Sequence, residues 1–193
     1  MSRTYRLIPI TDLDEPVQLK VLAVRNEAFI RWWMLTDAVI SDSEHLAWIG
    51  RLGQDGSQVC FVIVDDDVCP VGAVNLKRID MKHKTAEMGF YRTAGISEKG
   101  LMAGSLSALI DYSFDVLGLD RIYTEVLEGN VKSLAIHAKL LFTEEGFLRS
   151  HIVKDGMRIG VHLFGLHKDE WRGGRDGIGV RNDIVLVRRG DSV

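Results

Sequence analysis

Residues 101–117 set Leu101, Leu106, Leu109, Ile110, Phe114 and Leu117 along one helical face, and Gly118 closes the run. β-branched and apolar stretches flank it, Thr85–Arg92 before and Arg121–Leu127 after, and a second helical pattern follows over 130–142 with Asn130 as its cap. Two such strand–helix units behind a hairpin call for a mixed sheet covered by helices on both faces. The hairpin is read at 58–64 and 68–76, turning at Asp65-Asp66-Asp67. Upstream lie a strand at 5–10, a helix at 17–33 carrying Val17, Val21, Val24, Ala28 and Trp32, and a shorter helix at 43–52 capped by Ser41 or Ser43. Downstream, 146–154 and 158–166 form a last hairpin around Asp155-Gly156. The expectation is an α/β (α+β) fold, one domain over 1–171 with a central sheet of about seven strands. After Trp171 the composition turns to Gly and Arg, so 172–193 reads as a linker or mobile tail, with 184–187 available as an edge strand.

A chain of 193 residues, 46% hydrophobic, suits one such core. A net charge of −3 argues against a general nucleic-acid binder. No apolar run approaches a membrane span, and the N-terminus opens without one, so a cytoplasmic protein without membrane contact is expected. Cys60 and Cys69 sit out of register across the hairpin, Cys69 facing roughly Ile63, which predicts two free buried thiols and neither disulfide nor metal site.

The chemistry concentrates between Gly89 and Gly104. A strand ends near Arg92, and Lys99-Gly100-Leu101-Met102-Ala103-Gly104 opens the long helix. A glycine at a helix start exposes unpaired main-chain N–H groups at the positive end of the helix dipole, which suits a diphosphate, and Lys99 adds a point charge. The turn is neither a Walker loop nor a dinucleotide GxGxxG. Three segments in order, Ala86-Glu87-Met88-Gly89-Phe90-Tyr91, then Lys99-Gly100-Leu101 through Tyr112-Ser113-Phe114, then 130–142 followed by Glu145-Gly146-Phe147-Leu148-Arg149, resemble the acetyl-CoA-binding core of the GNAT acetyltransferase family. The chain departs from that pattern at Ser97, where Gln or Arg is usual, and at Met102, where Gly or Ala is usual.

The resemblance implies acetyl-CoA as cosubstrate, no metal, and direct attack by an amine without a covalent enzyme intermediate. It implies cofactor contacts at Phe90, Tyr91, Arg92, the run Lys99, Gly100, Leu101, Met102, Ala103 and Gly104, and Asn130. His137 occupies the position of the family's proton-donating tyrosine, and its imidazolium is expected to protonate the leaving thiolate; water is the alternative. Glu87 and Glu125 are the candidate bases, with Glu125 favoured because a similar subfamily carries a glutamate there.

The N-terminal helices hold Arg25, Trp33, Met34, His45 and Trp48 together. This arrangement resembles the subfamily that N-acetylates a UDP-linked 4-amino-4,6-dideoxy sugar on the pseudaminic acid route to flagellin glycosylation. Tryptophan faces would stack on a sugar or uracil ring, Arg25 would pair with a diphosphate, and His45 would bond a hydroxyl. A protein N-terminus or another small amine as acceptor, and an acyl-CoA-sensing module without turnover, remain the alternatives. Edge strands near the C-terminus make a homodimer an option.

Overall fold

The computed structural model describes residues 4–96 and 98–187. The N-terminal residues 1–3 used in the cytoplasmic reading, the departure at Ser97, and the tail from 188 onward lie outside the described residues. The order is β1 (Arg6–Pro9), α1 (Glu15–Arg25), α2 (Ala28–Trp32), α3 (Asp42–Leu52), β2 (Val59–Val64), β3 (Pro70–Asp80), β4 (Thr85–Arg92), α4 (Leu101–Asp111), β5 (Arg121–Leu127), α5 (Val131–Lys139), β6 (Thr143–Lys154), β7 (Met157–His167), α6 (Lys168–Gly174) and β8 (Val185–Leu186). The strands make one open mixed sheet in the order β6-β7-β5-β4-β3-β2-β1-β8. β4/β5 and β1/β8 are parallel and the other neighbours antiparallel. The eighth strand, beyond the seven expected, is the short β8 added to the β1 edge.

Alternation along β2 explains why both faces are covered. Cys60, Val62 and Val64 pack with Val21 of α1 and Ile49 of α3, whereas Phe61 and Ile63 join Leu106, Leu109 and Phe114 on the α4 side. Each fully buried side chain of this size contributes roughly 1.5–3 kcal/mol, so a one-residue slip would forfeit both cores at once.

Four expectations change. The 17–33 helix divides at Asn26, because its side-chain amide bonds both main-chain groups of Ile40, donating to the carbonyl at 2.8 Å and accepting from N–H at 3.0 Å. The chain then turns at Glu27 and restarts as α2. The 101–117 helix widens into a π-helical turn over Tyr112–Val116 before Gly118 ends it in a left-handed conformation. Cys69 lies opposite Asp65, not Ile63, and is exposed; Cys60 alone is buried, and burial pushes its thiol up to about 12. The segment read as a mobile tail is docked through Val187. Trp171 is 2% exposed, and its indole N–H donates to Asp111 at 2.8 Å. Arg175 forks onto the same carboxylate, and Ile184 is buried in the main core. The composition misleads here because Ile178, Val180 and Ile184, spaced through the Gly/Arg run, supply the apolar contacts that dock it. No described helix is long and apolar enough to cross a membrane.

Candidate active site

β4 and β5 pair over Thr85↔Arg121, Ala86↔Ile122 and Glu87↔Tyr123, and then diverge. From Met88 onward, β4 therefore has no strand partner on its β5 side. The gap opens into a cleft of about 770 Å³. Strand alternation gives it two walls. Met88 faces the α4 core and Phe90 the ring of His137, whereas Tyr91 packs toward α1 and α3. Asn75 and Lys77 on β3 pair across from Gly89 and Glu87 and line the same cleft.

His137 is fully buried on α5 among Phe90, Phe142 and Phe164, with ring centroids 5.1–5.7 Å away. Its Nδ1 lies 2.7 Å from the carbonyl oxygen of Ser133, which can only accept, so Nδ1 carries the proton. Nε2 then presents a lone pair and has no partner among the described residues. Desolvation lowers the imidazole to about 4. The expected imidazolium donor is corrected on this ground: at neutral pH His137 is an uncharged acceptor.

Glu87 is 3% exposed and already engaged, by Lys77 Nζ at 2.6 Å and Arg78 Nη1 at 3.1 Å. With a cation on each oxygen, neither is free to meet a substrate amine. Glu125 lines the cleft, is half-buried, and among the described residues makes no hydrogen bond or close ion pair, feeling Arg78 only at longer range. Of the two candidates it is the one whose carboxylate is available.

The glycine turn is formed as expected: Gly100 caps α4 in the left-handed region (φ 79°), and no described side chain caps that helix. Of the predicted cofactor contacts, Phe90, Tyr91, Arg92, Met102 and Asn130 line the cleft. Leu101 and Ala103 are core residues and can offer only main-chain groups. Lys99 is exposed outside the cleft lining. Gly104 is correct in place but not in role, since a Cβ there would meet Ile184 at 2.7 Å and the Arg181 carbonyl at 2.9 Å. It is small to admit the C-terminal segment. Tyr91 points to the α1–α3 wall, where burial beside Cys60 pushes its phenol upward. Arg92 donates to the Ile96 carbonyl and so braces the loop. Asn130 caps α5 by accepting from Ser133 N–H at 3.2 Å.

On the opposite wall Arg25, Trp33, Met34 and Trp48 come together in the cleft. His45 does not join them. It is 4% exposed, its Nε2 bonds the Gln18 carbonyl at 3.0 Å, and it lines a separate cavity of about 220 Å³ behind Trp48. The expectation that it holds a substrate hydroxyl from the cleft is corrected: Nε2 is committed to tying α3 to α1, and the ring lines the smaller cavity, which shares Arg25, Trp48, Asn75 and Tyr91 with the cleft. Arg25 donates weakly to the Thr36 carbonyl at 3.4 Å, its Nη1 is buried without a partner, and desolvation lowers its pKa. Sequence reading missed Asn75, Lys77, Gln58 and Lys132. The polar breaks at Asn75 and Lys77 in the otherwise apolar β3 run were the available signal. In all, four basic side chains (Arg25, Lys77, Arg92, Lys132) line the cleft against two carboxylates, Glu87 and Glu125.

Residues 5–143 match the model of the acetyltransferase (GNAT) domain family. The chain is 30% identical over 112 residues to YdaF of Bacillus subtilis strain 168, provisionally named a ribosomal N-acetyltransferase; the match spans 58% of this chain and 60% of that one. It is 25% identical over 138 residues to acetyltransferase PseH of Campylobacter jejuni, covering 72% and 84%. In fold it resembles the spermidine N-acetyltransferase of Vibrio cholerae solved with CoA and spermine, with a TM-score of 0.79 at 22% identity over 88% of this chain and 98% of that one.

Proposed function

The chain belongs to the GNAT acetyltransferase family, and from that premise we propose that it moves an acetyl group from acetyl-CoA to the amine of an anionic acceptor, a nucleotide-linked amino sugar of the UDP-4-amino-4,6-dideoxy type. The residues present suit coenzyme A. The uncapped first turn of α4 offers main-chain donors to a pyrophosphate. The unpartnered side of β4 from Met88 onward offers a strand edge to the amides of a pantetheine arm. The orphaned Nε2 of His137 gives the buried end of the cleft an acceptor.

The acceptor enters from the α1–α3 wall. Its neutral amine attacks the thioester carbonyl directly, and Glu125 takes the amine proton through a water. His137 Nε2 orients the water that protonates the departing thiolate, and the proton that Glu125 took from the amine returns to that water. Glu125→Gln is expected to lower kcat about a hundredfold, with the KM for acetyl-CoA unchanged, in steady-state assays; an unchanged kcat would remove Glu125 as the base.

One observation carries the choice of acceptor. Arg25 holds a half-buried guanidinium in the cleft wall with no carboxylate paired to it among the described residues. A desolvated, unpaired charge is costly unless a ligand of opposite sign completes it. Trp33 and Trp48 beside it supply stacking faces. The motif resemblance of the first helices and the similarity to PseH support the same reading. A polycation such as spermidine needs several free carboxylates, whereas the described cleft lining offers one, Glu125, with Glu87 engaged by Lys77 and Arg78. A thiol-release assay over a UDP-amino sugar, spermidine and an N-terminal peptide tests this. The nucleotide sugar is expected to lead in kcat/KM, and a lead for spermidine or the peptide would overturn the acceptor assignment.

A further inference from the structure

The glycine turn carries one basic side chain of its own, Lys99, and that side chain is exposed. A guanidinium nevertheless lies beside it, brought from far along the chain. A Cβ placed on Gly100 would lie 3.4 Å from Arg181 Cγ, and the Arg181 carbonyl and Ile184 fill the space over Gly104. The first turn of α4 is thus packed against the C-terminal segment. That segment is anchored beyond the turn as well. Ile184 is 7% exposed in the core, β8 pairs with β1, Val187 N–H donates to the Leu7 carbonyl at 2.9 Å, and the Arg181 guanidinium sits 5.8 Å from the Tyr5 ring centre.

Two acidic partners of Arg181 differ in kind. Asp183, two residues on, takes Nε at 2.9 Å and Nη2 at 2.6 Å, a fork within the segment that fixes the guanidinium's direction. Glu98, in the turn itself, takes Nη1 at 2.9 Å. Glu98 is therefore an anion held where two attractions for anions meet, a guanidinium and the uncapped start of a helix. A diphosphate carries more charge, fits the same donors, and can displace a single carboxylate from Nη1 while the Asp183 fork stays in place.

We propose that Arg181 is a phosphate-binding residue for coenzyme A, and that Glu98 is the resident counter-ion which the coenzyme's phosphates replace. This rests on the family reading of the turn as the pyrophosphate site. It goes beyond that reading by assigning a phosphate ligand to the C-terminal segment and a competing role to an acidic residue of the turn.

The two halves of the ion pair then have effects of opposite sign. In titration calorimetry of the full chain with coenzyme A, Arg181→Gln is expected to weaken binding about tenfold, and Glu98→Gln to tighten it. Neither should change the KM for S-acetylpantetheine, which lacks the phosphates. An ion pair that only braces the loop would give losses in both variants, with both thioesters affected alike. Either that pattern, or unchanged coenzyme A affinity in both variants beside tight wild-type binding, overturns the assignment. Failure of the wild-type chain to bind coenzyme A would overturn the family reading of the turn together with it.

Discussion

Arg25→Met is expected to raise the KM for the acceptor about a hundredfold, leave the KM for acetyl-CoA unchanged, and make the folded protein more stable. The first effect follows from losing a charge-assisted contact in a desolvated wall, worth on the order of 2–3 kcal/mol. The second follows from geometry, since Arg25 ends α1 on the wall opposite His137 and α4. The third has the opposite sign because the guanidinium has no carboxylate partner and leaves Nη1 unbonded. An unbranched apolar side chain of similar length removes that penalty while filling the space. Steady-state kinetics with each substrate varied, paired with urea denaturation, measure all three. A loss of stability with unchanged acceptor KM would mean that Arg25 braces the Thr36 loop and has no role with substrate.

His137→Leu is expected to flatten the acid limb of stability. In the folded protein the imidazole titrates at about 4, well under its ordinary 6.5, because burial disfavours the charged ring. Between those values the unfolded chain binds a proton that the folded chain refuses. Stability from this group is complete above pH 6.5 and is lost as the pH falls toward 4, by roughly 3 kcal/mol at full extent. Denaturation at pH 7 and at pH 4 should show the wild type losing about that much more than the variant, since the carboxylates titrate alike in both. Equal losses would place the folded imidazole near its ordinary value and restore the imidazolium donor as a candidate. The same depression predicts that His137 contributes no ionisation near 6.5 to the pH dependence of kcat/KM.

The frame of the site was legible because it rests on local signals. Thr85–Arg92 and Arg121–Leu127 are short runs carrying β-branched and aromatic residues and bounded by turn residues, and the structure places both at those limits. Gly100 was legible because a helix start that needs a positive φ favours glycine. What failed depends on contacts distant in sequence. The protonation of His137 is set by phenylalanines on β4, β7 and the stretch after α5. His45 is claimed by the carbonyl of Gln18, on a different helix. The break at Asn26 depends on Ile40. Gly104 looked like a phosphate glycine, and only the path of the C-terminal segment shows what it makes room for.

The pairing of Arg6 with Val185 joins the first strand of the sheet to the last. On a ribosome, that contact can form only after the other seven described strands have emerged. A nascent chain can assemble the core sheet and still hold the start of α4 unclasped until Arg181 and Ile184 emerge. The packing of Arg181 and Ile184 on the start of α4 thus waits for a segment made after every other strand of the sheet, and Ile184 completes the hydrophobic interior at the same step.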